Sequence, residues 1–119
     1  MEARRIVELS VALAQSRKAE DVVVLDIREL TDVTDYFVIC TGEVDAHVKA
    51  ITDAIVEGME AQGERPWHVE GYEGLRWVLV DFVDVVVHIF RGETRDFYAL
   101  ERLWGDAKRE EFEAISNVQ

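Results

Sequence analysis

The chain of 119 residues has a single cysteine, a single proline and little positive charge. With Cys40 alone, no intrachain disulfide can form, and a reducing cytoplasm fits. Cys40 ends the apolar run Tyr36 to Cys40, where a small buried thiol is expected rather than a nucleophile. No apolar stretch approaches the length of a membrane span. The N-terminal MEARRIVELS has early glutamates and helical spacing, unlike a secretory signal or transit peptide. One proline and seven glycines leave little material for linkers, and neither repeats nor low-complexity runs occur. The three histidines, His47, His68 and His88, lack metal-ligand spacing. His88 reads as a hydrogen-bonded histidine of a strand core or face. No motif surrounds Ser10, Ser16 or Ser116 that would make a nucleophile. Gly42 stands alone, and Gly71 and Gly74 lack the strand-to-helix context and basic residue of a phosphate loop. Against 13 Lys+Arg stand 25 Asp+Glu, a net charge of -12. Such a chain repels phosphate backbones, so little direct nucleic-acid binding is expected. A basic protein surface would attract it in a salt-dependent way, and solubility alone is the plainer reading of the same charge.

Hydrophobic residues at 49% and charged residues at 32% suit one globular domain with a single core. Residues 2–16 read as a helix, with Ile6, Leu9 and Leu13 on one face and Val7 and Ala14 flanking it. Val22 to Ile27 and Tyr36 to Cys40 read as buried strands. Residues 44–61 are a helix, with Val44, Val48, Ile51, Ile55 and Met59 on one face and Gly63 as its stop. Trp67 to Val69 is a candidate short strand, followed by the loop Glu70 to Gly74. Trp77 to Phe82 and Val85 to Phe90 are separated only by Val83-Asp84, which predicts an antiparallel hairpin. Residues 95–104 read as a helical turn or two, with Phe97, Leu100 and Trp104 inward. The last fifteen residues are charged and helix-prone, with Phe112 and Ile115 as anchors. The fold class is therefore α/β, a mixed five-stranded sheet flanked by helices.

Two groups of residues invite a functional reading. Asp26, Asp32 and Asp35, or Asp81 with Asp84, could hold magnesium with a substrate phosphate. No Gly-Ser turn precedes an Asp-x-Asp pair, and turn or cap roles explain these carboxylates more simply. The second group is centred on Trp77, which opens a strand beside a Gly-rich loop. Strand alternation puts Trp77, Leu79 and Asp81 on one face and Val78, Val80 and Phe82 on the other. If helices cover the second set, the first forms an apolar patch with an acidic rim, the composition of a protein interface. If both faces are buried, Trp77 is simply core.

VVVLDIRELTDVTDYFVICTG (Val22 to Gly42), Glu70-Gly71, WVLVDFVDVVVHIF (Trp77 to Phe90) and FYALERLWGDA (Phe97 to Ala107) together resemble the Iojap, or ribosomal silencing factor (RsfS), family. The match runs over residues 1–107, leaving 108–119 as a charged, helix-prone tail. Three places in the chain depart from the family pattern. Val83 stands where the hairpin turn usually has glycine, Arg91-Gly92 replaces a His-Pro-like pair, and Glu43-Val44 replaces a small polar pair. The resemblance implies a nucleotidyltransferase-like fold without the catalytic residues. It implies, often, a homodimer; no cofactor and no membrane contact are expected. It also implies binding to the large ribosomal subunit through its fourteenth protein (uL14), on the face that meets the small subunit, with relatives that act in large-subunit assembly. Joining would be blocked sterically and translation dampened under nutrient limitation. Trp77 lies at the family's tryptophan position and is the expected anchor. Leu79 as its neighbour, and Glu70, Asp81 and Asp84 as an acidic surround, follow from strand parity and charge. A magnesium-dependent nucleotidyltransferase-type enzyme and a structural dimer module remain the competing readings.

Overall fold

The two most apolar runs form the two central strands. β1 is Glu20–Asp26, β2 Tyr36–Gly42, β3 His68–Glu70, β4 Trp77–Asp81, β5 Val85–Arg91 and β6 Lys108–Phe112. They make one six-stranded sheet in the order β3-β4-β5-β2-β1-β6. The structure, a computed structural model, describes residues 1–92, 100 and 102–113. β2 and β5 pair in parallel, and every other neighbouring pair is antiparallel. Parallel strands need cover on both faces and so read as unbroken apolar runs, which YFVIC and VVVHIF are.

Helices α1 (Ala3–Ser16) and α2 (Asp45–Ala61) pack together on one face of this sheet. Val48, Ile51, Ile55 and Met59 of α2 are buried as their spacing predicts. Val44, expected beside them, is instead the exposed residue that caps α2. α1 is rotated from the expected stripe: Ile6, Val7, Ser10, Val11 and Ala14 are buried, while Leu9 and Leu13 are only half-buried. Leu13 is turned toward α2 at Gly58, where a Cβ would come within 2.5 Å of it. α2 ends in a Schellman motif. Gly63 has φ +84°, and the Glu64 N–H reaches back to the Met59 carbonyl at 2.9 Å.

The charged stretch after residue 107 is not a helical tail over 108–112. Lys108–Phe112 is the edge strand β6, paired antiparallel with β1, so the sheet has six strands where five are expected and extends beyond residue 107. An edge strand needs only one row of backbone partners and tolerates charge on its outer side, so Lys-Arg-Glu-Glu can serve. Arg4 of α1 fixes it, donating to both carboxylate oxygens of Glu110 at 2.7 and 3.0 Å. That pairing holds the Glu110 carboxyl below its ordinary range. Phe112 packs at the margin of the main core as expected. The helix expected over 95–104 lies mostly outside the described residues, as do Phe97 and Ile115. Within that stretch the Trp104 N–H bonds to the Leu100 carbonyl at 3.0 Å, one helical turn.

The β4–β5 hairpin turns through Val83. Its φ is +76°, and the Asp84 N–H bonds back to the Phe82 carbonyl at 3.0 Å, which makes Val83 the centre of a γ-turn. The Asp81 carboxylate supports the turn by accepting from the Val83 N–H at 2.7 Å. The Asp84 carbonyl accepts from the N–H groups of Asp35 and Tyr36 at 2.9 and 3.2 Å, which fixes the hairpin to the start of β2. A β-branched residue at positive φ is strained, at a cost of roughly 1–3 kcal/mol. Val83→Gly is therefore expected to stabilise the fold by about 1 kcal/mol after the entropy cost of glycine. Denaturant titration checks this, and a lower midpoint would contradict it.

Candidate functional site

Strand alternation in β4 decides how Trp77 is used. Val78 and Val80 are fully buried under the helices. Trp77, Leu79 and Asp81 face the opposite side, as parity predicts. Register adds to that side: Glu70 lies opposite Leu79, His68 opposite Asp81, His88 opposite Leu79 and Phe90 opposite Trp77. This second face is covered only in part among the described residues. Leu100, Trp104 and Ala107 close it over Val23, Leu25, Ile27, Ile39 and Phe90. Toward β3 and β4 the aromatic surface opens, with Trp77 49% and Trp67 72% exposed.

The exposed indole is firmly seated. Trp77 stacks on Phe90 with centroids 5.1 Å apart and planes at 21°. Its Nε1–H donates to His88 Nδ1 at 3.1 Å. Phe37 meets the His88 ring edge-on at 4.8 Å, and Trp104 meets Phe37 at 5.8 Å. Trp104 is thus part of the second-face packing. Since Nδ1 accepts from the indole, His88 is neutral with its proton on Nε2, and Nε2 finds no hydrogen-bond partner among the described residues. Burial drives its pKa down from 6.5 to about 4. Gly71 carries the approach to β4: its φ is +80°, and a Cβ there would lie 2.1 Å from the Trp77 carbonyl oxygen. This is the physical content of the Glu70-Gly71 pair.

The acidic residues divide. Glu70 and Asp81 gather around His68, whose Nε2 is 2.8 Å from Glu70 and 3.8 Å from Asp81, with Trp67 packed against the imidazole at 4.6 Å. Glu70, Leu79, Asp81 and Trp77 therefore share one continuous surface. Asp84 stands apart, exposed in the turn beyond the far end of β4. Of the carboxylates that could have held magnesium, Asp26 is engaged by Arg28 through two guanidinium hydrogen bonds of 3.0 and 2.8 Å and one from the Arg28 backbone N–H at 3.2 Å, which hold it below the ordinary carboxylate range. Among the described residues no group of three or more His, Cys, Asp or Glu is placed to hold a metal ion. Nor is any described helix long and apolar enough to cross a membrane. Sequence reasoning missed Trp67, His68, Phe37 and Phe90 as parts of this surface, and missed the bond from Trp77 to His88.

The profile of a family described as "Ribosomal silencing factor during starvation" matches residues 1–119. The ribosomal silencing factor RsfS of Bacillus subtilis is 41% identical over 107 residues, covering 90% of this chain and 91% of the relative. A mouse protein named "Mitochondrial assembly of ribosomal large subunit protein 1" is 31% identical over 101 residues, which is 82% of this chain and 44% of that one. A crystal structure of a Chromobacterium violaceum protein superposes with a TM-score of 0.84 at 31% identity, covering 100% of this chain and 98% of the other.

His88 gives a pH prediction. The unfolded chain protonates His88 near 6.5 while the folded chain resists until about 4, so the unfolded state binds more protons between those values. This contribution to stability is complete above pH 6.5 and declines as pH falls toward 4, by at most ~1.4 kcal/mol per pH unit. Urea denaturation at a series of pH values should show that slope in the wild type and a flatter one in His88→Asn. Equal slopes would contradict the assignment.

Proposed function

The chain belongs to the ribosomal silencing factor family, and from that premise we propose that it docks on the large ribosomal subunit in the cytoplasm and keeps the small subunit from joining. The contact is with uL14, made by Trp77 and Leu79 with Glu70 and Asp81 beside them, and with Asp84 at the outer margin. The block is steric, so translation falls without chemistry on any substrate. The names of the relatives support the partner: several are called ribosomal silencing factors, and the mouse protein is named for assembly of the ribosomal large subunit.

The observation that carries the reading is Trp77. A half-exposed indole held in one orientation on a sheet is a good anchor for a partner. It stands on the part of the second face that the described residues leave open, beside carboxylates that would meet a cationic ribosomal surface. The net charge of -12 favours encounter with basic proteins over bare RNA.

Sedimentation tests the function. Added protein should travel with free large subunits on a sucrose gradient and reduce joined ribosomes, and the association should weaken between low and moderate salt. Failure to co-migrate at low ionic strength overturns the reading. Trp77→Ala is expected to weaken binding by more than ~2 kcal/mol while the chain still folds; unchanged affinity removes Trp77 from the site. Magnesium and nucleotide should leave the melting temperature where it was, whereas a nucleotidyltransferase would be stabilised by them.

A further inference from the structure

An exposed aromatic on a strand ordinarily samples several rotamers. Trp77 does not have that freedom, because two strand β5 side chains define one seat for it. Phe90 supplies the plane, and His88 Nδ1 supplies the one directional contact, at 3.1 Å from the indole nitrogen. His88 is itself braced, edge-on by Phe37 and near-parallel to Phe90 at 6.4 Å and 14°.

The imidazole is an expensive choice for this position. It is 4% exposed, and its Nε2 makes no hydrogen bond among the described residues. A buried donor left unsatisfied reduces stability, and an apolar ring would pack here without that cost. Packing alone therefore does not account for a histidine here; the bond to Trp77 does.

We propose that His88 is the positioning residue of the docking surface, holding the Trp77 indole in the orientation in which the ribosomal partner receives it. This rests on the docking reading of Trp77 and adds the group that prepares it. With the indole ordered in the free protein, its rotational freedom is not lost on binding. Without the acceptor, the indole must be ordered at the moment of contact, which weakens affinity roughly three- to tenfold.

Four variants test the assignment: His88→Phe, which removes the acceptor and keeps a ring; His88→Asn, whose Oδ1 replaces Nδ1 as acceptor; Trp77→Phe, which removes the donor; and the Trp77→Phe/His88→Phe pair. Affinity for isolated large subunits is measured alongside the Trp77 indole N–H resonance, identified by its absence in Trp77→Phe. His88→Phe should lose affinity roughly three- to tenfold and shift the resonance toward that of a solvated indole, and His88→Asn should recover both. In the Trp77→Phe background, His88→Phe should change affinity by less than about twofold. Wild-type affinity in His88→Phe overturns the proposal, as does an equal loss in both backgrounds or an unmoved resonance. Should His88→Phe not fold, His88→Leu takes its place as the variant without an acceptor, and wild-type affinity or an unmoved resonance there overturns the role. Failure of the wild type to bind large subunits at all is failure of the docking reading, and it is seen before any variant is compared.

Discussion

Parallel pairing of β2 with β5 sets the terms for the rest of the molecule. The two strands are far apart in sequence, lie at the centre of the sheet and are apolar on both sides. Both faces must therefore be shielded from water. α1 and α2 shield one of them across its width. On the other, the segment with Leu100, Trp104 and Ala107 covers the region of β1 and β2. Among the described residues, β4 then has one side in the core and one side partly exposed. The aromatic surface lies where the described residues leave the second face uncovered, over β4.

Much of this was legible from residue order. Two-residue alternation put Val78 and Val80 on one side and Trp77, Leu79 and Asp81 on the other, and the buried runs marked the central strands. β6 was not legible, because Lys-Arg-Glu-Glu has no apolar period; it becomes a strand only through the free edge of β1 and the reach of Arg4. The rotation of α1 also depends on a distant residue, since Leu13 turns toward the gap at Gly58. The pairing of Trp77 with His88 is a different case. A hairpin closed by Val83 and Asp84 fixes its register, which sets Leu79 against His88 and Trp77 against Phe90. Those partners could have been counted off the sequence once the hairpin was recognised.

Charge is organised in a related way. Several carboxylates are matched locally: Asp26 with Arg28, Asp45 with Arg91, Asp53 with Lys49 and Glu110 with Arg4. These exposed pairs contribute little to stability individually. With 25 Asp+Glu against 13 Lys+Arg, the excess of carboxylates sets the long-range field of the molecule. Glu70 and Asp81 gather beside the imidazole of His68, and Asp81 also accepts from the Val83 N–H. A partner's lysine or arginine arriving there would meet carboxylates already gathered and oriented.

The tip of the hairpin illustrates a separation between shape and chemistry. One peptide oxygen, that of Asp84, receives hydrogens from two successive amides at the beginning of β2. Main-chain atoms do all of this, so the anchor is indifferent to which side chain follows the γ-turn. Lineages could exchange that residue freely while inheriting an unchanged backbone path. The site can thus acquire or discard an acidic group without any rebuilding of the scaffold beneath it.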